Sequence, residues 1–392
     1  MSFTLAHRLD DIEPFHVMEV IKRAADLEKA GRSIIHLSIG EPDFPTAQPV
    51  LDAAARALQG GAMRYTHATG LPALREAISK HYKTRFQLDV PAERIVVTAG
   101  ASGALLLACA ALIGRDSEVL MPDPSYPCNR HFVAAFEGRA AMIPCGPLER
   151  FQLTAAMVRA HWSERTAGVL LASPSNPTGT SIPTGELRAI ADASRERGGF
   201  TLVDEIYQGL SYDAKPESAL ALGEDLIVIN SFSKYFNMTG WRLGWLVVPP
   251  TMLPAIEKLA QNMFICASSI AQQAALACFT PEATAIFESR KEEFRRRRDY
   301  LVPALQQLGF EIPVIPDGAF YIYADCTAFT HDTDAFAREL LDHTGVVLVP
   351  GLDFGDYAAR RYLRVSYATS MENLAEAVER LGKYLAERQP DS

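Results

Sequence analysis

The chain has little of what would mark a secreted, metal-dependent or nucleic-acid-bound protein. Its six cysteines in 392 residues (Cys109, Cys128, Cys145, Cys266, Cys278 and Cys326) are dispersed. There is no Cys-x-x-Cys pair and no nearby histidine spacing suited to zinc, so no metal is expected. Three of them (Cys109, Cys266 and Cys278) stand beside Ala or Phe, and the set reads as small buried hydrophobes of a reducing cytoplasm. Positive charge is also short: 38 Lys and Arg against 47 Asp and Glu leave a formal net charge of -9. That balance argues against wrapping a nucleic-acid backbone, which rewards clustered cations, although a local pocket can still bind a small anion. The longest apolar run, Ala101 to Ile113, falls far short of the roughly 20 residues that span a bilayer, so no membrane association is expected. The N-terminus, MSFTLAHRLDDIEPF, carries acids and no apolar core, unlike a secretory signal. Repeats, low-complexity tracts and long Pro/Gly/Ser linkers are lacking too, which implies closely integrated domains.

What is present is ordinary globular composition, 48% hydrophobic and 22% charged, in a chain long enough for two to three domains or one large α/β domain with an appendage. Residues 17–30 place Val17, Val20, Ile21, Ala24 and Leu27 on one helical face. From residue 94 onward, short β-rich runs without polar alternation (94–98, 118–121, 169–172, 200–203, 226–230) alternate with helical stretches such as 102–113 and 183–197, the latter with Pro183 in its first turn. Continuous apolar strands suit a sheet buried on both faces, so the expected fold is α/β, a mostly parallel sheet flanked by helices. After residue 281 the texture changes. A long helix (281–308) precedes strand candidates at 310–314, 319–323, 346–349 and 361–366 and a helix at 371–387, which reads as a smaller α+β unit. Arg295–Arg298, inside the long helix beside Glu292, Glu293 and Asp299, reads as a solvated, salt-bridged face. The expected organisation is an N-terminal segment, 1–45, packing with a small C-terminal domain, 286–392, around a large domain, 46–285.

The most informative segment is SFSKYFNMTGWRLGW, residues 231–245. It follows a strand, so Lys234 lies just past the carboxyl end of a buried strand, where open α/β sheets bind ligands. A desolvated lysine there loses its proton and becomes a nucleophile toward a carbonyl. Ser231, Ser233 and Arg242 supply hydroxyls and a fork of donors suited to phosphate. A Schiff-base lysine among phosphate ligands points to pyridoxal 5'-phosphate; taken alone, an exposed lysine after a strand is the alternative.

Residues 231–244 resemble, position by position, the lysine signature of the class I aminotransferases that depend on pyridoxal phosphate, the fold-type I group that includes aspartate and aromatic transaminases. Other parts of that pattern follow in order. The coenzyme's ring nitrogen needs a facing carboxylate, and Asp204 in DEIY (204–207) matches the family's Asp-x-x-Tyr, although a helix N-cap is its bland alternative. The resemblance implies that Tyr207 and Asn176, the latter in SPSNPTGT (173–180), bond the coenzyme's 3-oxygen, with Asn176 also near the substrate. Gly100, Ala101 and Ser102 in TAGASGALLLA (98–108) stand where the family cradles the phosphate, at a helix N-terminus that favours anions. Tyr126 in DPSYP matches the ring-stacking position. Tyr65 resembles the tyrosine that reaches the phosphate in a neighbouring subunit, which implies a homodimer with shared active sites. Arg364 in YLRVSYA matches the arginine that binds the substrate α-carboxylate, and Gly40 in SIGEPDF the glycine whose backbone lies against it.

The activity implied is transamination, with Lys234, Asp204 and Tyr207 as catalytic residues: an L-amino acid gives its amino group to a 2-oxo acid such as 2-oxoglutarate. Some relatives carry a lysine where this chain has Ser102. That departure puts strict aspartate specificity in doubt and favours neutral or aromatic donors, with aspartate kept as the alternative if an arginine from elsewhere in the chain or from a partner subunit takes the lysine's place. Two rivals remain: β-elimination from a sulfur amino acid on the same scaffold, and a coenzyme-binding regulator. The regulator is disfavoured by acidity and by the lack of room for a DNA-binding domain before SIGEPDF.

Overall fold

The computed structural model describes residues 3–14, 17–61, 63–213 and 217–388. In the N-terminal segment, helix α1 (Val17–Lys29) leads to a short strand, β1 (Ile35–His36). The apolar runs then assemble into one sheet from β2 (Ile95–Thr98), β3 (Glu118–Asp123), β4 (Arg139–Pro144), β5 (Thr166–Ala172), β6 (Phe200–Asp204), β7 (Ile227–Ser231) and β8 (Gly244–Val247), in the order β2-β8-β7-β6-β5-β3-β4. Pairings among β4, β3, β5, β6 and β7 are parallel. Residues such as Val119, Leu171, Val203 and Val228 are fully buried, as strands covered by helices on both faces require. The expected α/β fold with a mostly parallel sheet is therefore the observed one.

Two strands had no clear signal in the sequence. β4 carries a helix-compatible run, Arg139–Pro144. β8 pairs antiparallel with both β2 and β7; no crossover helix lies between β7 and β8, so the chain returns in the opposite direction. Because β2 and β7 each oppose β8, their carboxyl ends and the start of β8 share one edge.

Beyond the long helix Pro281–Gln307, β9 (Tyr321–Asp325), β10 (Val346–Val347), β11 (Val349–Pro350) and β12 (Tyr362–Ser366) follow, with a closing helix at Met371–Glu387. β11, β12 and β9 form an antiparallel sheet, while β10 pairs with β1, Ile35 opposite Val346. The strand expected at 310–314 does not form: only Glu311 bridges to Asp325, and Pro313 has no N–H to extend a ladder. Pro183 stands one residue outside the helix Thr184–Arg195 as its N-cap. The arginine run is also corrected. Arg295 and Arg296 lie on a solvated face with Glu292 and Glu293. Arg297 and Arg298, however, are buried, paired with Asp43 at 2.7 Å and with Asp213; they tie distant loops to the helix. All six cysteines are unpaired, four of them buried. Among the described residues, no helix is long and apolar enough to cross a membrane, and no cluster of side chains could hold a metal ion.

Candidate active site

A cavity of about 370 Å³ opens at the carboxyl edge of the parallel strands. This is where open α/β sheets leave room, because the chain departs to opposite faces there. The loop after β7 carries Ser231, Ser233 and Lys234 to its wall, the end of β6 carries Asp204, and the loops after β5 and β3 carry Asn176 and Tyr126. Ala101 and Ser102 enter from the helix Gly100–Leu112, Arg242 from the segment before β8, Tyr207 from the turn after β6, Arg364 from β12 and Gly40 from the N-terminal segment.

The Lys234 amine donates to the carbonyl of Gly40. It lies 5.6 Å from the Tyr207 ring and 5.8 Å from that of Phe320. Burial lowers its pKa to about 8, with Arg364 and Arg242 acting the same way and Glu41 opposing; at pH 8 about half the amine is neutral. Asp204 is buried and accepts the Ile206 N–H at 3.0 Å. Burial pushes its carboxyl up to about 6, against that hydrogen bond and the nearby Lys234. The Tyr207 hydroxyl bonds that of Tyr321 at 2.9 Å, and burial raises its pKa well above the usual phenol value.

Arg364 is buried inside β12, an uncomfortable place for a charge. One arm donates to Asn176 Oδ1 at 2.9 Å and the other to the Ser38 carbonyl at 2.7 Å, and the guanidinium lies 4.5 Å from the Tyr321 ring centre. Its Nε has no partner. A buried cation on a cavity wall, with one N–H of each arm still unused, is what an anionic ligand would complete. On the other side, Ser231 Oγ donates to Ser233 Oγ at 3.0 Å, and Arg242 approaches the same oxygen at 3.5 Å. Gly100 does not line the cavity but sits beneath Arg242, where a Cβ would come within 2.8 Å of its Nη2.

These features fit pyridoxal phosphate: an amine of lowered pKa, a buried carboxylate with a raised one, and hydroxyls and an arginine gathered over a glycine.

Tyr65 is the exception among the expected site residues. It is 81% exposed and lies on a separate surface with Arg64 and Ser269, away from this cavity. Sequence reasoning, in turn, missed Tyr321, Thr239, Asp353, Phe354 and one face of α1 (Val17, Met18, Ile21), all on the cavity wall. The helical spacing at 17–30 was visible, but it marked a buried face without saying what that face adjoins. Among the described lining residues, the cations are Lys234, Arg242 and Arg364.

A family model described as aminotransferase class I and II matches residues 32–381. The chain is 41% identical over 379 residues to the valine–pyruvate aminotransferase of Mycobacterium tuberculosis, covering 95% of this chain and 97% of that protein. A crystal structure of an aminotransferase from Mycobacterium tuberculosis superposes with a TM-score of 0.95 at 39% identity, covering 99% of this chain and all of the other (100%). A mutant of the Thermus thermophilus aspartate aminotransferase superposes at 0.92 with 34% identity, covering 97% of this chain and 100% of that one.

Proposed function

The chain belongs to the class I and II aminotransferases, and from that premise we propose that it uses pyridoxal phosphate to move the amino group of a neutral or aromatic L-amino acid to a 2-oxo acid. One observation carries this reading: Lys234, Asp204, Asn176 and Arg364, from four separate stretches of chain, line one cavity. Ser102, Ser231, Ser233 and Arg242, with the backbone at Gly100 and Ala101, would hold the coenzyme's phosphate. Asp204 would face its ring nitrogen, Asn176 and Tyr207 its 3-oxygen, and Tyr126 its ring. The bound coenzyme would supply a carbonyl carbon for the donor's amine and a ring that accepts electrons from the donor's Cα.

The protein's own groups do the rest. Arg364 binds the α-carboxylate through the N–H groups that its bonds to Asn176 and Ser38 leave over; Gly40 presents its backbone beside it. Lys234, largely neutral above pH 8, takes the proton from the substrate Cα and holds it for return. Asp204 carries the negative charge that keeps the facing nitrogen protonated. Tyr207 donates toward the 3-oxygen, and Tyr321 fixes the hydroxyl's direction.

Two roles, phosphate and α-carboxylate, occupy Arg242 and Arg364, and Lys234 is needed for chemistry. No described cation on this wall is left for a distal carboxylate, which supports a neutral or aromatic donor. The valine–pyruvate relative points the same way and makes pyruvate an acceptor to compare with 2-oxoglutarate. We further propose a cytoplasmic homodimer, a reading supported by the unpaired cysteines and by the position of Tyr65, exposed outside its own cavity where it could serve a partner's site. The pairing of β1 with β10 supports the division into a large domain, 46–285, and a small one, 286–392, joined by the N-terminal segment.

The test is the visible spectrum of the purified protein before and after single amino acids without acceptor. The expected result is a coenzyme band that bleaches faster with valine or phenylalanine than with aspartate, and in Lys234→Ala a protein that still holds some coenzyme but has lost turnover. A band that persists while pyruvate and ammonia accumulate would replace transamination by β-elimination, and no band after added coenzyme would end the reading.

A further inference from the structure

One acid on the cavity wall has no part in the chemistry above. Asp353 lies in the turn Gly351–Asp353 after β11 and is buried. Its two carboxylate oxygens accept the backbone N–H of Val17, at 3.0 and 3.2 Å. Val17 is the first residue of α1, so its N–H is among those a helix leaves without an internal acceptor. A carboxylate is favoured there by the helix dipole as well as by the hydrogen bond.

The rest of α1 divides into two faces. Val20 and Ala24 pack on Leu341 and Val347, and Arg23 pairs with Asp342 at 3.0 Å. The adjacent face, Val17, Met18 and Ile21, lines the cavity. Beside Asp353, the Phe354 ring lies 4.9 Å from the Arg364 guanidinium. A single turn therefore touches both the buried arginine and the start of the helix that forms an apolar wall.

We propose that Asp353 is a positioning residue for donor selectivity: it holds the first turn of α1 in register with Arg364, so that Val17, Met18 and Ile21 meet the side chain of a branched or aromatic donor. The proposal rests on the reading of Arg364 as the carboxylate site and deepens it, because the distance between that site and α1 then measures the donor's side chain. Removing the carboxylate leaves the Val17 N–H without this acceptor and loosens the wall, at a distance from the amine that moves the proton.

The test uses the coenzyme-loaded enzyme and single-turnover half-reactions with valine, alanine and aspartate. Alanine presents only a methyl group, so the ratio of kcat/KM for valine to that for alanine reads the wall. In Asp353→Ala this ratio should fall about tenfold, through KM rather than kcat. Asp353→Asn keeps an oxygen that can accept the Val17 N–H and should restore the ratio to within about threefold. A role confined to general stability would lower both donors together and leave the ratio unchanged, which overturns the proposal; so would an equal fall in the Asn variant. Should Asp353→Ala fail to fold, Met18→Ala on the same wall decides, since an unchanged ratio there rejects α1 as the selecting element. Wild-type enzyme that prefers aspartate to valine would sink the donor reading instead, and the variant-to-wild-type comparison of aspartate with alanine would still decide the tether.

Discussion

Arg364 and Asn176 meet across the cavity, Nη1 to Oδ1 at 2.9 Å, although one comes from β12 in the C-terminal antiparallel sheet and the other from the loop after β5 in the parallel one. The bond consumes one arm of the guanidinium and orients the plane of the rest. Ser38 accepts from the second arm, and each arm keeps a further N–H for a ligand.

Replacing Arg364 by Ala should therefore raise KM for both the amino acid and the oxo acid by roughly 30- to 1000-fold, equivalent to about 2–4 kcal/mol for a buried, hydrogen-bonded charge pair. Arg364→Lys should recover little, because an ammonium cannot place separate donors toward Asn176, Ser38 and a ligand at once. Half-reaction kinetics across donor concentrations check both. A KM within threefold of wild type in Arg364→Ala would remove the arginine from the carboxylate site.

Asp204 makes a prediction about pH. Its folded-state pKa of about 6 lies above the value near 3.9 of an unfolded chain. The folded protein thus binds this proton more tightly, and the stability linked to it is complete below about pH 4 and lost as pH rises through about 6. In coenzyme-free protein, Asp204→Asn should therefore raise stability at pH 7.5, on the order of 1–3 kcal/mol, with the gain vanishing near pH 4. The asparagine oxygen can still accept the Ile206 N–H. The same variant should bind coenzyme more weakly and lose nearly all turnover. Urea unfolding of the stripped protein at two pH values checks the first part; a variant less stable at both would show that the carboxylate is compensated by a group not considered.

Gly100 makes a third. Its φ of +73° suits glycine, and an added Cβ would lie 2.8 Å from Arg242 Nη2. Gly100→Ala should cost about 1–2 kcal/mol in backbone strain alone and displace the arginine, raising the coenzyme dissociation constant roughly tenfold. Activity should largely return at saturating coenzyme. Equilibrium titration of the stripped protein measures the shift, and unchanged affinity would separate Arg242 from phosphate binding.

The chemistry-bearing loops were legible because each directly follows a buried strand, and apolar runs announce such strands without help from distant residues. Lys234, Asp204, Asn176 and Tyr126 could be placed at a sheet edge on that ground. Arg364 could be singled out because a charge inside an apolar strand needs a partner, but its partner, Asn176, could not be named from spacing. Arg297 and Arg298 were misread as surface charges, since helical periodicity cannot show that Asp43 and Asp213 fold back to meet them.

The linear order of residues thus determined most of the strand–helix alternation and the parallel core of the sheet, which depend on near neighbours, while the candidate site residues were picked out by the resemblance of their motifs. Tertiary structure alone decided which of them share a cavity: that the Tyr321 hydroxyl meets that of Tyr207, that Tyr65 is exposed outside its own chain's cavity, and that Asp353 accepts the N–H at the start of α1 on the cavity wall. The reason is physical. Propensity and periodicity act over a few residues, whereas these contacts join segments far apart in the chain, and only the packing of the whole fold brings them within reach.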